Sequence, residues 1–413
     1  MPMTTAFLNA RVFDGRNPTL RDGLVVLVRD GIIAEIGEDV AIPDDAERVD
    51  CGGRVLTPGL IDGHVHVVAN SVDLTAGVQW PSFVFAQAGH IMRGMLDRGF
   101  TTVRDAGGAD AGLVRAVEEG WLKGPRLVIS GLALSQTGGH GDMRTIYRAP
   151  GEATHDRVGS MIGRICNGVA EVREAARDEM RKGAKLVKIM ASGGAASVTD
   201  PIGNTQFSGE ELRAIVEEAV AWNTYVMAHA YTPRAITAAI EAGCHTIEHG
   251  NLIDEATAKL MAEKGAWLCP TLVASDILTK FADKYGFSDT SMKKIAFVCE
   301  RGLESLQIAR AANVNVGFGT DLLGLELHEY QCNEFTIRAK VEDPVDTLIS
   351  ATSRNAEMMC MAGEIGEIVV GARADILVVD GDPTTDPEVF TRHGETLKVI
   401  MKDGAFHKND FAA

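Results

Sequence analysis

Short apolar runs that end in glycine-rich turns mark both ends of the chain. In the first 57 residues these runs are AFLNARVFDG, GLVVLVRDG, GIIAEIG and GGRVLTPG. The same texture returns near the other end in GEIVVGARADILVVDGD and TLKVIMKDGAFHKN. Apolar or alternating runs bounded by Asp-Gly and Gly-Gly are typical of strands joined by hairpins. We therefore predict a small β-sandwich domain that residues 1–57 and 359–413 form together.

Between these segments, apolar runs of strand length alternate with longer amphipathic segments. Eight such runs predict strands at 59–66, 101–106, 126–131, 185–191, 224–230, 245–250, 267–272 and 315–321. The intervening helical segments include VAEVREAARDEMRKGA, with Gly183 as its C-cap, and SGEELRAIVEEAVAWN, with Ser208 as its N-cap. Eight strand–helix repeats match a (β/α)8 barrel. The predicted fold is thus α/β, with a TIM barrel over residues 58–358 beside the β-sandwich domain.

Composition places the chain among globular proteins and narrows its partners. Of its 413 residues, 46% are hydrophobic and 23% are charged, which disfavours disorder and a coiled coil. The 40 Lys and Arg residues stand against 57 Asp and Glu, so the net charge is −17. This charge argues against nucleic acid or an anionic membrane as partner, because both are bound by clustered cations.

The sequence carries no signal for export or for membrane insertion. Its first residues, MPMTTAFLNARVFDG, lack a basic segment followed by an apolar run, and no apolar stretch approaches the roughly 18 residues of a membrane span. The seven cysteines are odd in number and too far apart for a Cys-x-x-Cys motif, which suits a reducing compartment. These features predict a cytoplasmic protein.

Polar residues stand at the ends of the predicted barrel strands, where barrel enzymes carry their active sites. His64 and His66 end the first strand, and the two-residue period of a strand turns both imidazoles to the same face. Taken alone, such a pair is more often two surface or core histidines than a metal site. His229, His249 and Asp321 end the fifth, sixth and eighth strands and make the pair part of a larger set.

Lys188 adds a second signal to this set. It lies in KLVKIMASGG on the same strand face as Leu186 and Met190, and a lysine in an apolar strand is costly unless it is paired or neutralised. A hidden carboxylate partner would explain it as well as a functional role would. Four histidines, a lysine and an aspartate, each at the end of a predicted barrel strand, are nevertheless hard to explain as separate coincidences. We therefore predict that they form one site.

Six motifs follow one another along the chain: TPGLIDGHVH, KIMASGG, MAHAY, TIEHGN, GFGTD and GARADILVV. Together they resemble the amidohydrolase superfamily over essentially the whole chain. The resemblance is strongest to imidazolonepropionase-like dipeptidases, a group of metal-dependent prolidases, Xaa-Arg/Lys carboxypeptidases and related N-acyl-amino-acid hydrolases. It implies a (β/α)8 barrel beside a β-sandwich built from both termini, in agreement with the strand count.

The resemblance also implies two adjacent zinc ions and the residues that hold them. The implied ligands are, for the more buried ion, His64, His66 and Asp321 and, for the more exposed ion, His229 and His249. Lys188 matches a lysine that carbon dioxide converts to a carbamate, which bridges both metals. As an anion facing cations, the carbamate would remove the cost of burying a lysine.

In the implied mechanism, a water shared by the metals attacks the amide carbonyl, and the exposed metal stabilises the oxyanion. Asp321 takes the proton of that water and passes it to the leaving amine, unless it serves as a ligand alone. His140, in SQTGGHGD, and Tyr231, in AHAY, resemble positions that hydrogen-bond the substrate carbonyl or carboxylate. A loop-capping histidine and a locally packed tyrosine are the structural alternatives.

One competing motif spans residues 245–249, where HTIEH matches the metalloprotease pattern H-x-x-E-H. That pattern requires a helix, whereas the β-branched Thr246 and Ile247 in a short segment between two glycines predict a strand. We therefore expect His245 to be structural and Glu248 to hold a neighbouring ligand.

The predicted function is a binuclear zinc hydrolase that cleaves the amide bond of dipeptides or N-acyl amino acids, with Xaa-Pro dipeptides favoured. The alternatives within hydrolysis are an N-acyl aromatic amino acid amidase of ochratoxin type, an Xaa-Arg/Lys carboxypeptidase, and a cyclic amide or imidazolone hydrolase. The last is disfavoured because imidazolonepropionase-type sites hold one metal and lack the bridging lysine. A non-catalytic metal-binding barrel is the alternative from another class. The expected partner is a small-molecule substrate, and the resemblance implies a homo-oligomer.

Overall fold

The structure of the chain is a computed structural model that describes residues 4–72, 74, 80–144, 162–195 and 200–411. The strands in these ranges are β1 Thr4–Val12, β2 Arg21–Arg29, β3 Ile32–Gly37, β4 Glu47–Asp50, β5 Val55–Pro58, β6 Leu60–Val65, β7 Phe100–Asp105, β8 Arg126–Ile129, β9 Ala133–Ser135, β10 Gly163–Ile165, β11 Val187–Met190, β12 Val226–Ala230, β13 Thr246–His249, β14 Trp267–Cys269, β15 Asn315–Val316, β16 Ile376–Val379, β17 Leu397–Lys402 and β18 Ala405–Asn409.

The helices of the same ranges are α1 Pro81–Asp97, α2 Ala111–Glu118, α3 Gly168–Arg181, α4 Gly209–Ala221, α5 Pro233–Ala242, α6 Glu255–Lys264, α7 Leu272–Lys280, α8 Ala282–Tyr285, α9 Asp289–Ala311, α10 Asn333–Arg338, α11 Pro344–Ile349, α12 Asn355–Met358 and α13 His393–Thr396. A 3-10 helix covers Leu327–Tyr330, and a π-helical stretch covers Ser350–Arg354. None of the described helices is both long and apolar enough to cross a membrane.

Both ends of the chain build one eight-stranded sheet. Its strand order is β18-β17-β16-β5-β1-β2-β3, and β4 pairs with β1. The carboxyl-terminal strand β16 is antiparallel to both β5 and β17, so it completes a sheet that the first residues of the chain begin. Phe7, Val26, Leu56, Ile376 and Val399 pack in the buried core of this unit. The predicted composite β domain is therefore present, and its boundaries after residue 57 and before residue 359 stay a prediction.

Parallel strands form the barrel in two arcs. One arc is β6-β7-β8, and the other has the order β10-β9-β11-β12-β13-β14-β15. Backbone hydrogen bonds close both seams, because Gly63 N donates to Phe318 O (2.8 Å) and Lys185 N donates to Ile129 O (2.8 Å). All eight predicted barrel strands are present, and the predicted TIM-barrel class is confirmed. The short strands β9 and β10 were not predicted.

The predicted cap residues lie at or next to the ends of helices α3 and α4. Ser208 Oγ accepts a hydrogen bond from Glu211 N (3.3 Å), and Glu211 Oε2 accepts one from Ser208 N (2.7 Å), so the predicted N-cap forms a capping box for α4. At the end of α3 the C-cap is Lys182, and Gly183 follows it with φ +107°. The predicted C-cap is thus displaced by one residue, and glycine supplies the left-handed turn after it.

Candidate metal centre

Three predicted ligands meet at the seam between the first and the last barrel strand. His64 Nε2 and His66 Nε2 both lie 3.2 Å from Asp321 Oδ1. A backbone hydrogen bond from Asp321 N to His64 O (2.8 Å) fixes the two chain segments against each other. Two imidazole nitrogens and a carboxylate oxygen that converge within 4.8 Å form a donor set that suits zinc.

The far side of each imidazole is held by a hydrogen-bond acceptor. His64 Nδ1 lies 2.8 Å from Glu248 Oε2, and His66 Nδ1 lies 3.0 Å from Gly107 O. An ionised carboxylate and a carbonyl only accept, so each Nδ1 carries a proton and each ring turns its Nε2 edge to Asp321. Acceptors behind the ligating rings are the usual means of orienting histidine at a metal.

His229 and His249 form the second half of the site. Their ring centroids are 4.7 Å apart, and that of His249 is 5.1 Å from that of His64. His229 Nε2 donates to Gly193 O (3.3 Å), and His249 Nδ1 lies 2.7 Å from Thr271 Oγ1. Burial lowers the pKa of both imidazoles well below the usual value, and nearby cationic groups lower it further. Both rings are therefore neutral, which is the form that binds a metal.

Lys188 lies in the wall of the same cavity, and only 1% of its surface is exposed. Burial lowers the pKa of its amine to about 8, although Glu248 and Asp321 favour the charged form. Its Nζ makes no hydrogen bond or ion pair within the part of the chain that the structure describes. A buried cation without a direct partner is costly, so the lysine fits this place better when its charge is removed or reversed.

Two ligand candidates adopt a backbone conformation that side chains other than glycine rarely take. The φ angles of His249 and Asp321 are +74° and +51°. Such residues typically cost about 1–3 kcal/mol each and persist where the surroundings hold them. His249 is the last residue of β13, Asp321 lies in the loop that follows β15, and both residues line the cavity.

A fully buried ion pair supports the centre from below. Arg104 Nη2 lies 3.1 Å from Glu248 Oε1, and neither side chain is exposed. Thr246 Oγ1 also donates to Glu248 (2.5 Å), and the Arg104 guanidinium donates through Nε to Gly63 O (2.6 Å). Burial raises the pKa of Glu248, but Arg104 and the hydrogen bond from His64 outweigh it and keep the carboxyl ionised. Glu248 thus contacts a candidate ligand as predicted, whereas Arg104 was missed.

Asp62 is a second residue that the sequence analysis did not assign. Its carboxylate accepts hydrogen bonds from His64 N (3.0 Å), from Thr320 N (3.1 Å) and Oγ1 (2.6 Å), and from Gln331 Nε2 (2.8 Å). Burial raises its pKa to about 6, although these donors oppose the shift. Asp62 therefore ties the strand of His64 to the residue before Asp321. Its place in GLIDGHVH, two residues before His64, was the available signal.

The competing H-x-x-E-H motif lies on a strand. Residues 246–249 form β13, and His245 Nε2 lies 3.2 Å from Met358 O outside the cavity. His245 and His249 therefore do not converge on one ion as they would on a helix. The predicted strand and the predicted structural role of His245 agree with this placement.

His140 and Tyr231 reach the cavity beside the second pair of histidines. The His140 ring stacks on that of His229 with centroids 4.4 Å apart, and the Tyr231 ring stacks on that of His249 at 5.2 Å. The remaining described walls are mostly apolar, and they are formed by Leu74, Ile162, Met190, Ala195, Ala274, Ser275, Leu278, Ile295, Val298 and Leu323.

Known proteins resemble the chain along nearly its whole length. The pattern of the amidohydrolase family matches residues 55–405. Ochratoxinase from Aspergillus niger is 33% identical over 420 residues, which cover 95% of this chain and 84% of the relative. A crystal structure of an amidohydrolase is 47% identical with a TM-score of 0.96, and it covers 99% of this chain and 100% of that chain. A prolidase complexed with N-methylphosphonate-L-proline is 45% identical with a TM-score of 0.95, and it covers 98% of this chain and 100% of that chain.

These likenesses extend over both the barrel and the composite sheet. The family is one of metal-binding hydrolases, and the group of His64, His66 and Asp321 provides donors that fit a metal. The chain therefore belongs to the amidohydrolase family and is a hydrolase of amide bonds.

Proposed function

We propose that the chain is a binuclear zinc amidohydrolase that cleaves dipeptides or N-acyl amino acids. The observation that carries the binuclear part is Lys188, a buried lysine that shares its cavity with the four histidines proposed as ligands and with Asp321. As a cation it would repel two metal ions and gains no hydrogen bond from the described residues. As a carbamate it becomes an anion with two oxygen donors between two sets of ligands.

The cavity offers a set of donors to each ion. The residues that would hold them are His64, His66 and Asp321 for one ion, His229 and His249 for the other, and carboxylated Lys188 for both. When bound, the two ions lower the pKa of a water and polarise the amide carbonyl. The chain contributes imidazoles that are held in orientation by Glu248, Gly107, Gly193 and Thr271.

Asp321 is the residue that we assign to proton transfer. Burial raises the pKa of its carboxyl, but His64, His66 and His249 lower it well below the usual range, so the group is anionic at neutral pH. An anionic carboxylate at the cavity wall can accept the proton of the attacking water and return it to the leaving amine.

His140 and Tyr231 are assigned to the substrate. Both rings flank His229, and both residues line the cavity. These groups are suited to hydrogen-bonding the carbonyl or carboxylate oxygens of an N-acyl amino acid. Removing a single hydrogen-bond donor from the place where negative charge develops commonly lowers kcat by about 10²–10³-fold.

The substrate is proposed from the relatives and from the cavity walls. The likeness to the prolidase favours Xaa-Pro dipeptides, and an apolar wall that includes Leu278, Ile295 and Val298 suits a proline ring. Among the described lining residues, Asp321 is the single carboxylate, and it is already assigned to the metal. A lysine or arginine side chain would thus lack a counterion there, which disfavours the Xaa-Arg/Lys carboxypeptidase.

A second candidate is an N-acyl aromatic amino acid amidase. The 33% identity to ochratoxinase supports it, and the same apolar wall would accept an aromatic ring. The cyclic amide hydrolase and the non-catalytic barrel have less support, because a lysine stands among the candidate ligands and the chain belongs to a family of hydrolases. We retain the homo-oligomer as a proposal as well.

The first experiment measures metal content and substrate choice on the purified holoenzyme. We expect two zinc ions per chain and the highest kcat/KM on Xaa-Pro dipeptides, in a panel that also contains Xaa-Arg, Xaa-Lys and N-acetylphenylalanine. Fewer than one zinc per chain would refute the binuclear site. A tenfold preference for N-acetylphenylalanine would replace the dipeptidase by the second candidate.

The second experiment tests Lys188 against a matched lysine. Lys188→Ala is expected to lose most turnover and part of the bound zinc, and added formate or acetate should restore some activity by supplying the missing carboxylate. Lys185→Ala removes an exposed lysine three residues earlier and should behave as the wild type. Full activity of Lys188→Ala without added carboxylate contradicts the carbamate.

A further inference from the structure

His140 reaches the second pair of histidines only because a glycine on another loop leaves room for it. Its ring lies flat on that of His229, with an interplanar angle of 19°. A Cβ atom on Gly194 would lie 1.8 Å from His140 Cε1, a distance at which one of them must move. Gly194 is the second glycine of KIMASGG and follows β11. The His140 ring therefore packs directly against the backbone of Gly194, in the segment after β11.

The same segment presents a buried carboxylate to that ring. Asp200 is 2% exposed, and its Oδ2 lies 3.5 Å from His140 Nδ1. Asp200 Oδ2 also accepts hydrogen bonds from Gly194 N (3.0 Å) and Gln206 Nε2 (3.2 Å). Gln206 Oε1 in turn accepts a hydrogen bond from His140 N (2.9 Å). Asp200 and Gln206 thus hold both the ring and the backbone of His140.

A lysine ties this segment to the apolar wall of the cavity. Lys294 Nζ donates to Gly194 O (2.7 Å) and to Asp200 O (3.1 Å). Lys294 belongs to α9, which also supplies Ile295 and Val298 to the wall. Asp200 is therefore held by Gln206 through its side chain and by Lys294 of α9 through its backbone. Its position relative to His140 thus depends on elements outside the loop that carries His140.

We propose that Asp200 is a positioning residue that orients His140 for the substrate. A carboxylate only accepts hydrogen bonds, so the ring turns a protonated Nδ1 to Asp200 and its Nε2 edge away from it. A carboxylate that fixes the edge and tautomer of an imidazole in this way is a recurrent device at active sites. This inference rests on the proposed function, in which His140 hydrogen-bonds the substrate.

The first test needs no substrate and uses the zinc-loaded enzyme with ¹⁵N-labelled histidine rings. The His140 resonance, identified by its loss in His140→Ala, is expected to report a protonated Nδ1 in the wild type and a largely unprotonated Nδ1 in Asp200→Ala, which has no acceptor at this place. Zinc content should be the same in both proteins. An unprotonated Nδ1 in the wild type, or an unchanged resonance in Asp200→Ala, overturns the inference.

The second test is a double-mutant cycle in kcat/KM on the best substrate of the panel. Asp200→Ala is expected to lower kcat/KM about 10–100-fold when His140 is present and less than about twofold in the His140→Ala background. An equal loss in both backgrounds means that Asp200 supports the fold and not His140, and it overturns the inference. If the wild type hydrolyses none of the panel, the proposed function fails, and the resonance of His140 still decides the role of Asp200.

Asp142→Ala is the matched control for both tests. Asp142 is also a buried carboxylate in the His140 loop, but its hydrogen bonds go to Gly138 N (2.9 Å) and to the Arg144 guanidinium (2.7 Å). Any loss of stability from removing a buried carboxylate should appear in this variant as well. The protonated Nδ1 of His140 should be preserved in it.

Discussion

Replacing Glu248 by glutamine should weaken both the fold and the metal centre, by two separable routes. The carboxylate accepts hydrogen bonds from the guanidinium of Arg104, the hydroxyl of Thr246 and the Nδ1 of His64, and none of the charged pair is exposed. Glutamine keeps the shape but offers a single acceptor oxygen. The guanidinium then stays buried without its counterion, and the His64 ring loses the acceptor that orients it.

The size of each effect follows from these contacts. Removing one partner of a buried ion pair costs about 3–5 kcal/mol, because an uncompensated charge remains. Removing the acceptor behind a metal-binding histidine typically costs about 10–100-fold in metal affinity. Arg104→Met in the Glu248→Gln background removes the orphaned charge and should recover most of the unfolding free energy. It cannot restore the acceptor for His64, so zinc affinity should stay low.

The assays measure the two quantities on the same proteins. Urea unfolding of the metal-free protein gives the stability, and competition with a chromophoric chelator gives the zinc affinity. Glu342→Gln is the control, since Glu342 forms an equally buried pair with Arg338 (2.6 Å) without contacting a candidate ligand. It should lose stability and keep its zinc affinity. Wild-type zinc affinity in the double variant would refute the reasoning, because Glu248 would then act on the metal only through the fold.

Three further predictions concern catalysis, pH and a helix cap. Asp321→Asn should keep the fold and lose about 10²–10⁴-fold in kcat, the usual contribution of a general acid–base group, and a near-normal kcat in steady-state assays would remove Asp321 from proton transfer. Burial lowers the pKa of His229 and His249, so below pH ~6.5 the unfolded chain binds protons that the folded metal-free protein does not. The contribution of this pair to the free energy of unfolding is therefore fully present above that pH. Below it, the free energy of unfolding falls by up to roughly 2.7 kcal/mol per pH unit for the two residues together. Urea midpoints at pH 7.5 and 5.5 test this, and equal midpoints contradict it. Ser208→Ala should destabilise the protein by about 1 kcal/mol through loss of the capping box, whereas Ser288→Ala at the cap of α9 provides a comparison of the same kind.

The elements with a strong local pattern could be predicted from the sequence. The barrel strands are apolar runs separated by amphipathic helices, and the residues at their ends are polar where a barrel carries its site. His64, His66 and Asp321 were therefore found together although 257 positions separate His64 from Asp321 along the chain. The strands β9 and β10 escaped prediction because three residues are too short for a periodic pattern.

The residues that support the site could not be predicted in the same way. Arg104 and Glu248 are 144 positions apart, and each looks like an ordinary polar residue of its own strand. Asp200 follows Lys188 by 12 positions, yet its contact with His140 arises because two different loops meet. Pairings between distant segments depend on barrel geometry, which a one-dimensional pattern does not contain.

The position of β16 between β5 and β17 means that the amino-terminal sheet cannot be completed until the end of the chain has been synthesised. Strand β5 is synthesised about 300 residues before β16, which pairs with one of its edges. At typical translation speeds of about 5–20 residues per second, the interval between the two strands is about 15–60 s. During that interval the whole barrel is synthesised while the edge of β5 remains open. An uncovered apolar edge is a template for aggregation, so the amino-terminal sheet of this hydrolase stays exposed to aggregation until β16 has been synthesised.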